Sequence, residues 1–286
     1  MILQKEIIKA AEAIGVSKST IDKDWVLGHF LAAIYSEPEL KESLIFKGGT
    51  CLKKCYFPDY RFSEDLDFTS RKKDFKLTKK HVQFICEELK QKAEILTHVE
   101  SIRPLLFKDE HTGYEVIIKF WGADHPRNEA PPPADRWQTK IKIEIILYEL
   151  MLFKEVEKEI SHNYSDSLTI EPNLIPCYAI EEVLAEKLRA LIQRSYTAPR
   201  DFYDIWYLQK NYPNLDFKEI VNAFHHKMKF KNLEFTAVSQ LINDKNDIKL
   251  RDSWKNSLAH QIQVAALPDF ETVKKELLEL FNKILK

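Results

Sequence analysis

Between Thr139 and Tyr148 the side chains alternate with a period of two, and no other stretch constrains the fold as tightly. Ile141, Ile143, Ile145 and Leu147 fall on one face. Lys140, Lys142, Glu144 and Tyr148 fall on the other, with Ile146 among them. Successive strand residues point to opposite faces, so this pattern requires a sheet with one buried and one polar side. A second alternating run, Tyr114 to Trp121, and the short strand Leu66-Asp-Phe-Thr supply further members. Helical patterns flank them. Ile7, Ala10, Ala11 and Ile14 share a face before Gly15, Ser19 heads a capping box with Asp22, and Asp24 to Tyr35 reads as a long buried helix. Residues 73–96 read as one amphipathic helix, and from Ile180 onward helices dominate to a last one over 270–285. At 286 residues and 44% hydrophobic, the chain has core material for one large domain or two lobes. The expected class is α+β. The expected boundary lies near Pro172 or Pro176, with a sheet-bearing core and N-terminal helices over 1–172 and a helical lobe over 173–286.

The chemistry-bearing pattern lies upstream of that strand. Only six glycines occur in the chain, yet Gly48 and Gly49 are adjacent. They follow the apolar run Leu44-Ile-Phe and Lys47, and precede a helix opened by Thr50. Glycine permits positive φ and close backbone approach, and a strand running into a helix N-terminus presents N–H groups to a phosphate. A plain strand-to-helix turn has the same pattern. Asp65 and Asp67 follow, on one face of a strand and about 7 Å apart. Two carboxylates so placed repel unless a cation lies between them, and Mg2+ takes such oxygen ligands together with phosphate. Glu144 would complete the carboxylate set, or belong to a solvated strand face. Further on, Lys187 interrupts an apolar stripe of Ile180, Val183, Leu184 and Leu191, with Arg194 close by. A lysine there needs a partner or must snorkel out. Phosphate oxygens would serve, and so would Asp201 or Asp204 on the helix begun by Pro199.

Lys+Arg at 43 against Asp+Glu at 44 gives a net charge of −1, so charge does not announce a nucleic-acid binder. Trp121, Arg127, Arg136 and Trp137 flank a proline-rich loop and would clamp nucleic acid or simply pack. Residues 5–35 have some helix-turn-helix character. Of the four cysteines, Cys51 and Cys55 are four apart in an expected helix, and no sequence neighbour completes a zinc set. All four are expected as reduced thiols. No signal-peptide core and no apolar run near about 20 residues is present, so a cytoplasmic protein without a membrane span is expected.

The string Phe46-Lys-Gly-Gly-Thr-Cys-Leu, with Arg61-Phe-Ser-Glu-Asp-Leu-Asp-Phe, resembles the AbiEii/AbiGii family of nucleotidyltransferase toxins. Asp22-Lys-Asp-Trp-Val-Leu, Lys187 and Arg200-Asp-Phe-Tyr-Asp-Ile extend the resemblance over roughly residues 22–210. It implies a DNA polymerase β-like nucleotidyltransferase core, a mixed sheet with flanking helices, and a helical C-terminal lobe. It also implies an NTP donor, Mg2+, and the toxin half of a toxin–antitoxin or abortive-infection pair with a cognate antitoxin. Some relatives add nucleotides to tRNA 3′ ends, which points to an RNA acceptor. By position, Asp65 and Asp67 correspond to metal ligands, and Gly48, Gly49 and Thr50 to the cradle for donor phosphates. Lys187 corresponds to a phosphate ligand and Asp204 to the acid of the last motif. Lys47, Arg61, Ser63 and Arg194 join the nucleotide-binding set, while Glu144 rests on strand alternation alone. The implied reaction is attack of an acceptor hydroxyl on the α-phosphate of an NTP. A metal-dependent nuclease would use similar acids but not the glycine turn, and a non-enzymatic nucleic-acid binder would use neither.

Overall fold

The computed structural model describes residues 1–126, 128–170, 174–194, 198–212 and 214–285. The chain divides into one unit of Met1–Glu149 with Glu155–Cys177 and another of Leu150–Lys154 with Tyr178–Lys286. Pro172, one of the two expected boundary positions, lies outside the described residues, and Pro176 sits within a strand of the first unit.

The first unit opens with α1 (Gln4–Ile14), α2 (Lys18–Ser36) and α3 (Pro38–Ser43). The cap of α2 is Ser17 rather than Ser19: its hydroxyl accepts the Thr20 N–H at 3.1 Å, an arrangement worth about 1 kcal/mol. Asp22 therefore falls inside the helix, where it is buried and accepts the Ala123 N–H at 2.7 Å. From Ile21 to Tyr35 every residue of α2 except Lys23 is buried. That overturns the helix-turn-helix expectation, because a recognition helix must leave one face open to a DNA groove. Asp24 inside α2 is compensated by Lys54 Nζ at 2.6 Å and the Tyr164 hydroxyl at 2.8 Å.

Seven strands form one mixed sheet: β1 (Leu44–Lys47), β2 (Asp65–Ser70), β3 (Leu96–Phe107), β4 (Glu110–Trp121), β5 (Lys140–Ile146), β6 (Val156–Glu159) and β7 (Leu174–Cys177), ordered β3-β4-β5-β2-β1-β7-β6. The β2–β5 and β1–β7 pairs are parallel and the others antiparallel. Between β1 and β2 lie α4 (Gly48–Cys51) and a π-helical turn, Leu52–Tyr56. The helix expected over 73–96 is shorter, α5 (Lys79–Ala93). Thr78 caps its start, Glu94 ends it at φ 56°, and Leu96 already begins β3. Strand β3 escaped the sequence reading because its residues are half-buried or exposed on both faces, leaving no period-two signal. Leu66, Phe68, Ile141, Ile143, Ile145, Val116, Ile118 and Phe120 form one apolar cluster with Trp25, Phe30, Val82 and Leu89 of α2 and α5. Each such burial stabilises by about 1.5–3 kcal/mol.

The second unit is helical: α6 (Ile180–Gln193), α7 (Pro199–Asn211), α8 (Phe217–Phe230), α9 (Asp244–Leu258) and α10 (Phe270–Ile284). Helix α6 packs on α7 and α8, and α7 packs on α9 and α10. An enclosed ion pair explains why Leu150–Lys154 belongs here. Glu182 accepts the N–H groups of Leu152 and Phe153, both at 2.8 Å. Lys227 lies 2.5 Å from Glu182 and donates to the Leu150 carbonyl at 2.6 Å. Among the described residues no helix is long and apolar enough to cross a membrane.

Candidate active site

At Lys47 the strand β1 stops and the chain turns through Gly48, whose φ of +81° lies in the left-handed region. Any side chain there is strained, and a Cβ would collide with Asp67 Oδ2. The second glycine has a separate reason. A Cβ on Gly49 would come within 2.9 Å of Arg61 Nη2 and 3.0 Å of Ser63 Oγ. The missing side chain thus lets the guanidinium and the serine hydroxyl close on the turn. The Thr50 hydroxyl donates to the Asp65 carbonyl at 2.5 Å, tying the start of α4 to the start of β2. Arg61 is buried, donates to the Phe62 carbonyl at 3.2 Å and lies over the Tyr60 ring.

Strand register then aligns charges across the sheet. Asp67 pairs with Lys47 on one side and Glu144 on the other, and Asp65 pairs with Lys142. Residues paired in register share a face, so Asp65, Asp67, Lys142 and Glu144 form one polar patch opposite the apolar cluster. Lys142 Nζ sits 3.4 Å from Glu144 and 3.9 Å from Asp65. The Asp67 carboxyl is pushed up to about 6, first by burial and then by repulsion from Glu144 and Asp65, against the pull of Lys47 and Lys142. Burial works against the Lys142 ammonium, yet Asp65, Glu144 and Asp67 together hold it above its ordinary range. The patch therefore gathers three carboxylates, and repulsion from Glu144 and Asp65 helps to hold Asp67 above its ordinary range. A small divalent cation fits that chemistry.

The structure thus brings Lys47, Gly48, Gly49, Thr50, Arg61, Ser63, Asp65, Asp67 and Glu144 together in the first unit. Lys142, which the sequence suggested only as part of a polar strand face, joins them. Lys187, Arg194 and Asp204 belong to the second unit, where they form a cluster of their own. Lys187 Nζ lies 3.0 Å from Asp201 and 2.5 Å from Asp204, and Arg194 lies 2.5 Å from Asp201. Asp204 is fully enclosed, while the Lys187 side chain keeps 12% exposure. The proline-rich flank packs on itself. Trp137 is buried with its indole N–H on the Pro132 carbonyl at 2.8 Å, and His125 stacks on Trp121 at 3.5 Å between centroids. Arg127 lies outside the described residues.

Seven solved chains match this fold. Among them is MenT4, a nucleotidyltransferase toxin from Mycobacterium tuberculosis H37Rv, with a TM-score of 0.59 and 17% identity, covering 100% of this chain and 99% of that one. No curated protein sequence matches. The mixed sheet with its flanking helices is the fold this chain shares with that nucleotidyltransferase toxin. A profile of the family described as nucleotidyl transferase AbiEii toxin, type IV toxin–antitoxin system, matches residues 29–276, and the chain belongs to that family.

Proposed function

We propose that this nucleotidyltransferase toxin moves a nucleoside monophosphate from an NTP to a hydroxyl of RNA, with the tRNA 3′ end as the favoured acceptor and Mg2+ as the metal. The observation that carries the site assignment is the register Lys47–Asp67–Glu144, beside a turn that only glycine can make. Asp65 and Asp67 would hold the metal, which when bound offsets phosphate charge and lowers the pKa of the attacking hydroxyl. The N–H groups of the Gly48–Thr50 turn, with Lys47, Arg61 and Ser63, bind and orient the donor phosphates. Glu144 takes the proton of the acceptor hydroxyl as its oxygen bonds to the α-phosphorus. The bond to pyrophosphate breaks, and its electrons leave with that group. Lys187 and Arg194 are assigned to phosphate binding in the second unit. Asp204 acts through Lys187, holding its ammonium in place. An antitoxin that neutralises this activity in the cytoplasm completes the reading.

The test supplies each NTP, labelled at the α-phosphate, with Mg2+ and total bacterial RNA, for the wild type and for Asp65→Ala/Asp67→Ala. Label in RNA that disappears in a double variant still folded by circular dichroism is the expected result. Undiminished label in that variant refutes the site, and label in protein or small molecules alone refutes the RNA acceptor.

A further inference from the structure

We infer that Cys51, Cys55 and Cys177 form a binding site for a thiophilic divalent cation of the zinc type, held by three thiolates, the first of them directly after the Gly48–Thr50 turn. Sequence spacing placed only Cys51 and Cys55 together. Parallel pairing of β7 with β1 brings in Cys177, the register partner of Phe46. All three sulfurs lie within 4.8 Å of one another. A cation with about 2.3 Å bonds to three sulfurs needs them about 4 Å apart, so closing the site takes side-chain shifts smaller than a bond length.

Three further observations favour this site. Cys55 lies in the π-helical turn Leu52–Tyr56, a rare distortion that recurs at functional positions. Cys51 and Cys177 are completely buried and Cys55 is half-buried, so the ligand set is largely dry. The thiols hydrogen-bond mainly to one another, with one longer contact from Cys177 Sγ to the Ile175 carbonyl at 3.6 Å. A second ligand-like group, His29, His162 and Asp166, differs on this point. There Asp166 already accepts from Trp25 at 3.1 Å and lies 3.1 and 2.9 Å from the two imidazoles, so its oxygens are satisfied without a metal.

Hydrogen bonds from Cys177 and Cys51 lower Cys55, whereas burial pushes Cys51 well up. Uptake of the cation forms three metal–sulfur bonds, and each sulfur that carries a proton loses it to solvent as its S–H bond breaks. The resulting site carries one net negative charge. Lys54 and Lys158 face Cys55 and offset it, while Glu157 faces Cys177 and opposes it. The site uses none of the residues assigned to NTP binding and stands independently of that assignment.

Reduced, metal-free, full-length protein is titrated with Cd2+, following the sulfur-to-cadmium charge-transfer absorbance. The band is expected to saturate at one ion per chain and to bleach when Zn2+ displaces Cd2+. Cys55→Ser, at a half-buried position, should keep the fold by circular dichroism, lose band intensity and bind more weakly, because a hydroxyl is a poor ligand for a thiophilic cation. Cys86→Ser, outside the cluster, should behave as wild type. Absence of the band, an unchanged band in Cys55→Ser, or an equal loss in Cys86→Ser overturns the proposal.

Discussion

Asp22 sits in α2 with 1% exposure, its carboxylate accepting the Ala123 N–H at 2.7 Å. Burial, opposed by that N–H and reinforced by Asp124, raises its carboxyl from the ordinary 3.8 to about 7. At 1.36 kcal/mol per tenfold change in proton affinity, ionising Asp22 in the folded state costs about 4 kcal/mol. The folded protein therefore holds this proton more tightly than the unfolded chain does. Its contribution is fully present below the unfolded value of 3.8, declines as pH rises, and is gone above about 7. Asp22→Asn keeps an oxygen for Ala123 and removes the titration. It loses an acceptor near the Asp124 N–H, a pH-independent cost of about 1–3 kcal/mol. The assay is chemical unfolding of both proteins from about pH 5 to about pH 8, read as the difference in stability at each pH. Taking the difference cancels the titrating groups that do not interact with Asp22. Between those limits it should move by about 3 kcal/mol in favour of the variant. A difference that stays flat over the window refutes the assignment of a protonated Asp22.

Gly48→Ala should cost about 1–2 kcal/mol in stability from the left-handed φ alone, and should abolish nucleotide transfer because the new methyl displaces Asp67. Thermal unfolding and label incorporation read the two effects separately. Lys227→Met leaves Glu182 buried without its cation and should destabilise the second unit by about 3–5 kcal/mol, while Lys227→Met/Glu182→Leu should recover part of that loss; chemical denaturation measures both. Lys142→Met removes the ammonium lying among Asp65, Asp67 and Glu144, so Mn2+ used as a Mg2+ substitute should bind more tightly by calorimetry; weaker binding would show that Lys142 helps to shape the site.

Much of the candidate site was legible because its logic is local. A glycine pair in a glycine-poor chain marks a turn, and Asp65 and Asp67 share a face wherever the chain is extended. Strand β5 declared itself through its alternation, helix α1 through its spacing and the Gly15 stop, and α6 and α10 through their amphipathic spacing. Strands β6 and β7 were not legible, since four residues carry too little periodicity, and β3 failed because neither face is fully buried.

Register was decided only by tertiary structure. Nothing in the order of residues says that Glu144 stands beside Asp67, that Lys142 stands beside Asp65, or that Cys177 completes a thiol cluster begun 126 positions earlier at Cys51. Which carboxylate meets which cation depends on strand order, and strand order follows from how the apolar faces of β2, β4 and β5 cover α2 and α5. The sequence by itself determined which residue types could do chemistry and which face of its own strand or helix each would take. Only the folded chain set their neighbours, and with them the charge state of Asp22 and Asp67, because desolvation and through-space charge depend on distances that no local pattern contains.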